Sequence, residues 1–323
     1  MGVATETRNS DKLRLRAMQL IVLYGPVPTE EFLTDLSVDE SPAIRSQVAR
    51  LCGLKKSSDT EALLKRFSTD DNPQVRRLAL ESYMRLGAKP PMETILRALS
   101  SLDRVEALAA RRLLERIPVA QWEQEVFTTG DKRLFIQGSV AMMTAYPNLD
   151  RAYRVLAKAS KFMEGFINDR DFVDMLRAME LALVQGKVNP AKVPGLVERI
   201  GNEFPSGNSQ INRELVRVMA FLRVGDLDGR IETYLTNTNV SVEDKVHFGL
   251  YMQTIRDRLT PDARLAIINS LEVAASQPDV GGSYKIYLQT AVKQLSGAIG
   301  SNDVKYVLEN GERWPTAVVA AFY

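Results

Sequence analysis

An internal repeat is the feature that most constrains the fold of this chain. An apolar residue followed by arginine recurs twice at intervals of 31 residues, and a fourth copy follows 30 residues later with glutamate in place of the arginine. The four dipeptides are Leu13-Arg14, Ile44-Arg45, Val75-Arg76 and Val105-Glu106. A period of this length is typical of a stack of small supersecondary units, each of which buries its apolar face against its neighbours.

The residues after each of the first three anchors have the periodicity of a helix. Apolar side chains recur three and four positions apart, which places them on one face. These sets are Leu13, Ala17, Leu20 and Tyr24; Ile44, Val48 and Leu51; and Val75, Leu78, Ala79, Tyr83 and Leu86.

The predicted ends of these helices recur with the same period. Ser41-Pro42 and Asn72-Pro73 place a capping side chain before a proline in the first helical position. The glycines that follow the helical stretches are Gly25, Gly53 and Gly87, and glycine commonly ends a helix.

Shorter helices lie between the anchored ones. One of them is predicted to begin with a capping box at Ser58-Asp59-Thr60-Glu61. Each unit is therefore a helix pair, and the predicted fold is an all-α superhelix of antiparallel pairs, an α-solenoid of HEAT-like or armadillo type. Residues 1–130 carry the regular repeats. Residues 131–323 keep helical periodicity at irregular spacing and are predicted to continue the same solenoid.

The first half resembles the HEAT-repeat family. In HEAT repeats an aspartate of the inter-helix turn stands six residues before an arginine, and a valine or isoleucine precedes that arginine. Asp39 with Arg45 and Asp70 with Arg76 reproduce the spacing. The resemblance implies a ladder of partly shielded ion pairs between stacked turns. We therefore interpret Asp39, Arg45, Asp70 and Arg76 as structural residues, with contact to a ligand as the alternative.

The second half resembles the helical region of large planctomycete-type proteins that join a propeller, HEAT repeats and a cytochrome c module. The segments that carry the resemblance are Glu214-Leu215-Val216-Arg217, Val246-His247-Phe248-Gly249-Leu250, Leu259-Thr260-Pro261 and Gly281-Gly282-Ser283-Tyr284. It implies that the chain is a fragment of a longer, exported protein. The haem motif Cys-x-x-Cys-His is absent, so no haem function is implied.

The sequence offers little material for catalysis or cofactor binding. His247 is the only histidine and Cys52 the only cysteine, which excludes zinc sites built on paired histidines. Neither a glycine-rich phosphate loop nor a Gly-x-Ser-x-Gly nucleophile elbow occurs. We therefore expect no enzymatic activity, no metal and no cofactor.

Charge and hydropathy limit the classes of partner. The formal net charge is only +2, which disfavours the basic stripe that nucleic-acid binding requires. The alternative function is nucleic-acid binding of the kind found in HEAT-like DNA glycosylases, and a phycobilin-associated lyase is a third class. No apolar stretch is long enough to span a bilayer. The chain as given lacks a secretory signal, which predicts a cytoplasmic protein unless it is a fragment of an exported one.

The leading hypothesis is a non-enzymatic scaffold that binds a protein partner or another domain of the same polypeptide. The last ten residues, 314–323, are apolar and lack a polar cap. We expect an uncovered edge that supports weak self-association. The alternative is that this segment folds back onto the preceding helices.

Overall fold

The computed structural model describes residues 1–225, 227, 229–296 and 301–321, and in them the chain forms twenty α-helices and no strand. The helices are α1 (Gly2–Thr5), α2 (Asp11–Tyr24), α3 (Glu30–Leu36), α4 (Pro42–Leu51), α5 (Ser58–Phe67), α6 (Pro73–Leu86), α7 (Met92–Leu99), α8 (Arg104–Leu114), α9 (Glu123–Thr128), α10 (Lys132–Ala145), α11 (Leu149–Phe162), α12 (Asp169–Gln185), α13 (Pro194–Glu203), α14 (Ser209–Leu222), α15 (Arg230–Thr236), α16 (Val242–Met252), α17 (Pro261–Ala275), α18 (Gly282–Ser296), α19 (Ser301–Glu309) and α20 (Pro315–Ala321). The predicted all-α solenoid class is confirmed.

The chain forms two compact units, Met1–Arg151 and Ala152–Tyr323. In the first unit, the longer helices α2, α4, α6, α8 and α10 each contact the next one along the chain. The shorter helices α3, α5, α7 and α9 form the second layer, and each packs on the longer helix that follows it. This alternation is the helix-pair stacking of a solenoid.

The core of the first unit lies between its two layers. Ile44, Val48 and Val75 from the longer helices and Leu64 and Ile95 from the shorter ones are fully buried. Burial of each such side chain adds about 1.5–3 kcal/mol to the free energy of unfolding, compared with leaving it exposed. Ile44, Val48 and Val75 lie on helix faces that the sequence predicted. The apolar periodicity therefore identified the layer of longer helices.

The helix ends follow the sequence signals with two differences. Asn72 caps the Gln74 amide at 2.9 Å, and Gly87 ends α6 in the left-handed conformation with φ of 62°. The capping box of α5 begins one residue earlier than predicted, because Ser57 and Thr60 bond each other's amides. The Ser41 hydroxyl does not cap α4; it bonds Asp11 of the preceding repeat instead.

The second unit is also built of stacked helices, but the alternation is less regular. Helices α12, α14 and α16 contact one another in sequence, whereas α17 contacts both α15 and α16. An aromatic cluster holds the centre of this unit: the rings of Phe204, Tyr234 and Phe248 lie with centroids 5.0 to 5.5 Å apart. Aromatic contacts at such distances stabilise a core beyond area burial alone.

The segment that follows α19 folds back onto α17 and α18. The Trp314 indole is 3% exposed and donates to Asn269 Oδ1 at 3.0 Å. The carboxylate of Glu272 accepts from the amides of Thr316 and Ala317 at 2.8 and 3.0 Å, which satisfies the free donors at the start of α20. The expected uncovered edge is therefore wrong for residues 314–317, while Phe322 and Tyr323 lie outside the described residues.

Replacement of Glu272 tests this attachment. Glu272→Ala removes the acceptor for two buried amides, and we expect α20 to separate from α17 with a local loss of roughly 1–3 kcal/mol. In a Trp122→Phe background, Trp314 fluorescence should shift to longer wavelength. The exposed Glu309→Ala variant is the control, and an unchanged spectrum in Glu272→Ala would contradict the role of this carboxylate.

Candidate interaction surface

Two of the four predicted ladder residues pair with each other across neighbouring repeats. Arg45 holds Asp70 with two hydrogen bonds, Nε to Oδ2 at 2.7 Å and Nη2 to Oδ1 at 2.9 Å. The remaining nitrogen, Nη1, donates to the carbonyls of Asp39 and Glu40 at 2.8 and 3.0 Å. One guanidinium therefore closes the turn before its own helix and holds the turn of the next repeat.

Asp39 pairs with Arg14 of the preceding repeat, by way of Nη1 to Oδ1 at 3.3 Å and a second bond from Nη2. It also accepts from the Ser41 amide at 3.0 Å. Burial alone would raise the pKa of Asp39, but the bonds from Arg14 and Ser41 outweigh it, so the pKa lies below its usual value. The same balance, with Arg45 and the Asn72 amide as donors, lowers the pKa of Asp70.

Arg76, the last predicted ladder residue, pairs with a glutamate and not with an aspartate. It donates to Glu106 through Nε at 2.7 Å and Nη2 at 2.8 Å, while Nη1 donates to the carbonyls of Asp70 and Asp71. Glu106 occupies the position at which the repeat carries arginine. Ser101, five residues before it, accepts from the Asp103 amide as Asp39 does from Ser41, and it bonds Glu106 at 2.6 Å. The carboxylate of this pair therefore comes from helix α8, whereas in the earlier repeats it comes from the turn.

Sequence reasoning missed further arginines of this kind. One is Arg151, which donates to the Tyr146 carbonyl at 3.2 Å and to Glu123 at 2.9 Å. Arg264 donates through Nη1 to the Leu259 carbonyl at 3.1 Å, five residues earlier, as Arg45 does to Glu40. The sequence does carry a signal for this turn. Thr260-Pro261 stands before Arg264 at the same distance as Ser41-Pro42 stands before Arg45. The capping residue, proline and arginine together identify this turn better than the aspartate does.

In the second unit, further ion pairs link successive long helices. Arg177 on α12 holds Glu214 on α14 at 2.8 Å, and Arg213 on α14 holds Asp244 on α16 at 2.6 Å. His247 lies beside the latter pair, with Nε2 3.0 Å from the Arg213 carbonyl. Burial is the main cause that lowers the pKa of His247.

A cavity of about 420 Å³ opens beside these pairs. Burial and, next in size, the charge of Glu214 raise the pKa of Glu180 to about 8, which favours its protonated form. Arg217 donates to Glu214 at 2.9 Å and stacks 5.6 Å above the Tyr251 ring. The lining residues are Glu180, Val184, Arg217, Ala220, Phe221, Tyr251 and Thr254.

An open apolar surface of the first unit lies beside the ends of α2 and α4. Two cavities of about 440 and 590 Å³ share Leu51 and Leu54 as lining residues, and we call them together the first-unit groove. Leu23 and Leu54 are 64% and 52% exposed there. The lining residues are Gln19, Val22, Leu23, Val27, Pro28, Thr29, Glu30, Leu33, Gln47, Arg50, Leu51, Leu54, Lys55, Thr60 and Arg85.

Arginines surround one side of this groove. Arg50 and Arg85 line it, and Arg16 donates to the groove residue Gln19 at 3.4 Å. Arg85 lies across Gly53, where an added Cβ would come within 2.8 Å of its Nε, and it donates to the Arg50 carbonyl at 3.1 Å. None of these three guanidiniums has a carboxylate within 4 Å among the described residues.

The single cysteine and the single histidine lie in different units, and each has a lowered tendency to ionise. Cys52 is buried in the first unit, where burial raises its pKa to about 12, and His247 belongs to the second unit. In the described part of the chain no three His, Cys, Asp or Glu side chains are grouped so as to hold a metal ion. Over the same residues, no helix has the length and apolarity that a bilayer span requires.

No protein-family model and no curated protein match this sequence. Similar solved structures include Kap121p bound to Pho4p, at 10% identity and a TM-score of 0.43, and the karyopherin Kap121p bound to the SUMO protease Ulp1p, at 9% and 0.45. Each match covers 98% of this chain and 44% or 43% of the Kap121p chain. The chain thus spans less than half the length of these neighbours.

The ladder residues are predicted to contribute to stability. Arg76→Ala leaves the buried Glu106 without its bidentate partner, and Asp70→Ala does the same to Arg45, so each should lower the free energy of unfolding by roughly 1–3 kcal/mol. Urea unfolding measures this, with the exposed Arg104→Ala as control. Loss of partner binding at unchanged stability would assign these residues to the ligand instead.

Glu180 should make stability depend on pH. Its pKa is about 8 in the folded chain against an ordinary value of 4.5, so unfolding releases a proton between these values. Stability is therefore lost as the pH rises from 4.5 to about 8. Glu180→Gln should gain stability over the native chain across that range, and the exposed Glu198→Gln should not; equal pH profiles for native chain and Glu180→Gln would contradict the assignment.

Proposed function

We propose that this chain is a non-enzymatic protein-binding scaffold and that the first-unit groove is its binding surface. The observation that carries the proposal is the groove itself, an open apolar surface beside three arginines that form no salt bridge with any described residue. On the long helices α6 and α8, by contrast, Arg77 and Arg112 pair with Glu81 and Glu115. Exposed apolar surface of this kind marks interaction sites.

The distribution of reactive groups supports a non-enzymatic role. The charged pairs that sequence analysis singled out hold turns and helices together, and the only cysteine is buried with a raised pKa. Glu180, whose pKa is raised, lines the cavity of the second unit together with Arg217, and Arg217 forms an ion pair with Glu214. Raised carboxyl pKa values also arise in structural networks, and we assign Glu180 to such a network.

Binding of nucleic acid is the second class of function. The charge of the groove favours this function, because an anionic backbone would neutralise Arg16, Arg50 and Arg85. The groove floor opposes it, because Val22, Leu23 and Leu54 offer apolar contacts instead of donors. Trp122 and Trp314 are both buried, so neither provides a stacking surface for bases.

The partner can be a separate protein or another domain of the same polypeptide. The segments from Glu214 to Tyr284 that resemble the helical region of planctomycete-type multidomain proteins support the second source. Weak self-association through the C-terminal end stays a prediction for the residues beyond the attached segment.

Site-specific photocrosslinking tests the scaffold proposal. A photoreactive amino acid at Leu23 should crosslink a protein in a lysate of the source cells. The control position is Val38, which belongs to the same unit, is 61% exposed and does not line the groove. The crosslink at Leu23 should disappear in a Leu54→Asp variant. Equal yields at both positions, or crosslinks to nucleic acid alone, would refute the proposal.

A further inference from the structure

The apolar floor of the first-unit groove arises where the repeat loses an arginine. Arg85 and Arg116 stand 31 residues apart, and each donates to a carbonyl in the last turn of the preceding long helix, to Arg50 at 3.1 Å and to Met84 at 3.3 Å. The position 31 residues before Arg85 is Leu54. A leucine there leaves apolar surface where the later repeats carry a cation.

Charge around the groove is asymmetric. Arg50, Arg85 and Lys55 line it against one acid, Glu30. The nearby acids Glu61 and Glu81 pair with Lys56 and Arg77 at 3.6 and 3.4 Å. Burial lowers the pKa of Arg85; the charge of Glu81 acts against this, and the positive charge of Arg50 adds to it. An anion at this rim would relieve the repulsion between Arg50 and Arg85.

Groups suited to a polypeptide backbone also line the groove. Gln19 and Gln47 line the same cavity as Arg50 and Arg85, and a primary amide both donates and accepts hydrogen bonds. The two cavities, of about 440 and 590 Å³, fall in the range of roughly 300–1,000 Å³ that ligand sites occupy. They adjoin at Leu51 and Leu54, so one segment can place anchors in both.

We infer that the first-unit groove binds an acidic peptide segment of a protein partner, with apolar anchor side chains on Leu23 and Leu54 and carboxylates on Arg16, Arg50 and Arg85. This inference rests on the scaffold function proposed above and names the chemistry of the partner. A basic segment would meet unpaired cations, and a nucleic acid would leave the apolar floor uncovered. A second copy of this groove would bring like charges together.

The test uses the full chain and a labelled synthetic peptide of about 14 residues, roughly four helical turns. The peptide carries leucine at positions i, i+3, i+4 and i+7 and glutamate elsewhere, the pattern of a helix that binds in a groove. Matched peptides replace every glutamate by lysine or every leucine by serine. Fluorescence anisotropy should show binding of the acidic amphipathic peptide and at least about tenfold weaker binding of both matched peptides.

Variants locate the binding in the groove. Leu54→Asp should abolish it, and the double variant Arg16→Glu, Arg50→Glu should shift the preference to the lysine peptide. Both arginines are exposed, so the double variant should keep the native helix content, which circular dichroism verifies. Arg104→Glu, an exposed arginine outside the groove, should bind the acidic peptide as the native chain does.

The outcomes separate this inference from the scaffold function. Equal or tighter binding of the lysine peptide, or a labelled DNA duplex that binds more tightly than the acidic peptide, overturns the inference. If Leu23 crosslinks a native protein while the acidic peptide does not bind, the acidic chemistry is wrong and the scaffold function stands. If Leu23 crosslinks nothing and no peptide binds, both are wrong.

Discussion

The structure of the first unit depends on an arginine that makes two kinds of contact at once. In Arg45 and Arg76, one nitrogen closes the turn before the helix by binding its carbonyls, and the other two hold a carboxylate of the following repeat. The planar guanidinium suits this task because its donors point in fixed directions. Each pair thereby couples the conformation of one turn to the position of the next, which sets the stacking of the layers.

The same dependence explains where a binding surface can form. The apolar faces of α4 and α6 are covered by their neighbours, and the ladder charges are neutralised, so little of these two repeats is free to recognise a partner. The first-unit groove lies where the pattern is interrupted, with Leu54 at a position that carries arginine in later repeats. Departure from the repeat, and not the repeat itself, distinguishes this surface.

The second unit has ion pairs between its long helices although its repeats are irregular in length. Arg177–Glu214 and Arg213–Asp244 join consecutive long helices as the ladder does in the first unit. The crowding of Glu180 beside Glu214 adds a desolvated carboxyl that lowers stability at neutral pH. Elsewhere in this unit the aromatic cluster of Phe204, Tyr234 and Phe248 contributes favourable burial.

The sequence by itself determined the helical class, the period and most helix bounds, because apolar spacing, prolines and glycines act within a few residues of one another. It indicated that Asp70 and Arg76 carry paired charges, but not that Arg76 would hold Glu106, since that choice depends on how one helix lies against the next. The tertiary structure alone decided the first-unit groove, the raised pKa of Glu180 and the attachment of Trp314 to α17. Each of these depends on side chains that are distant in sequence and meet only when the helices pack.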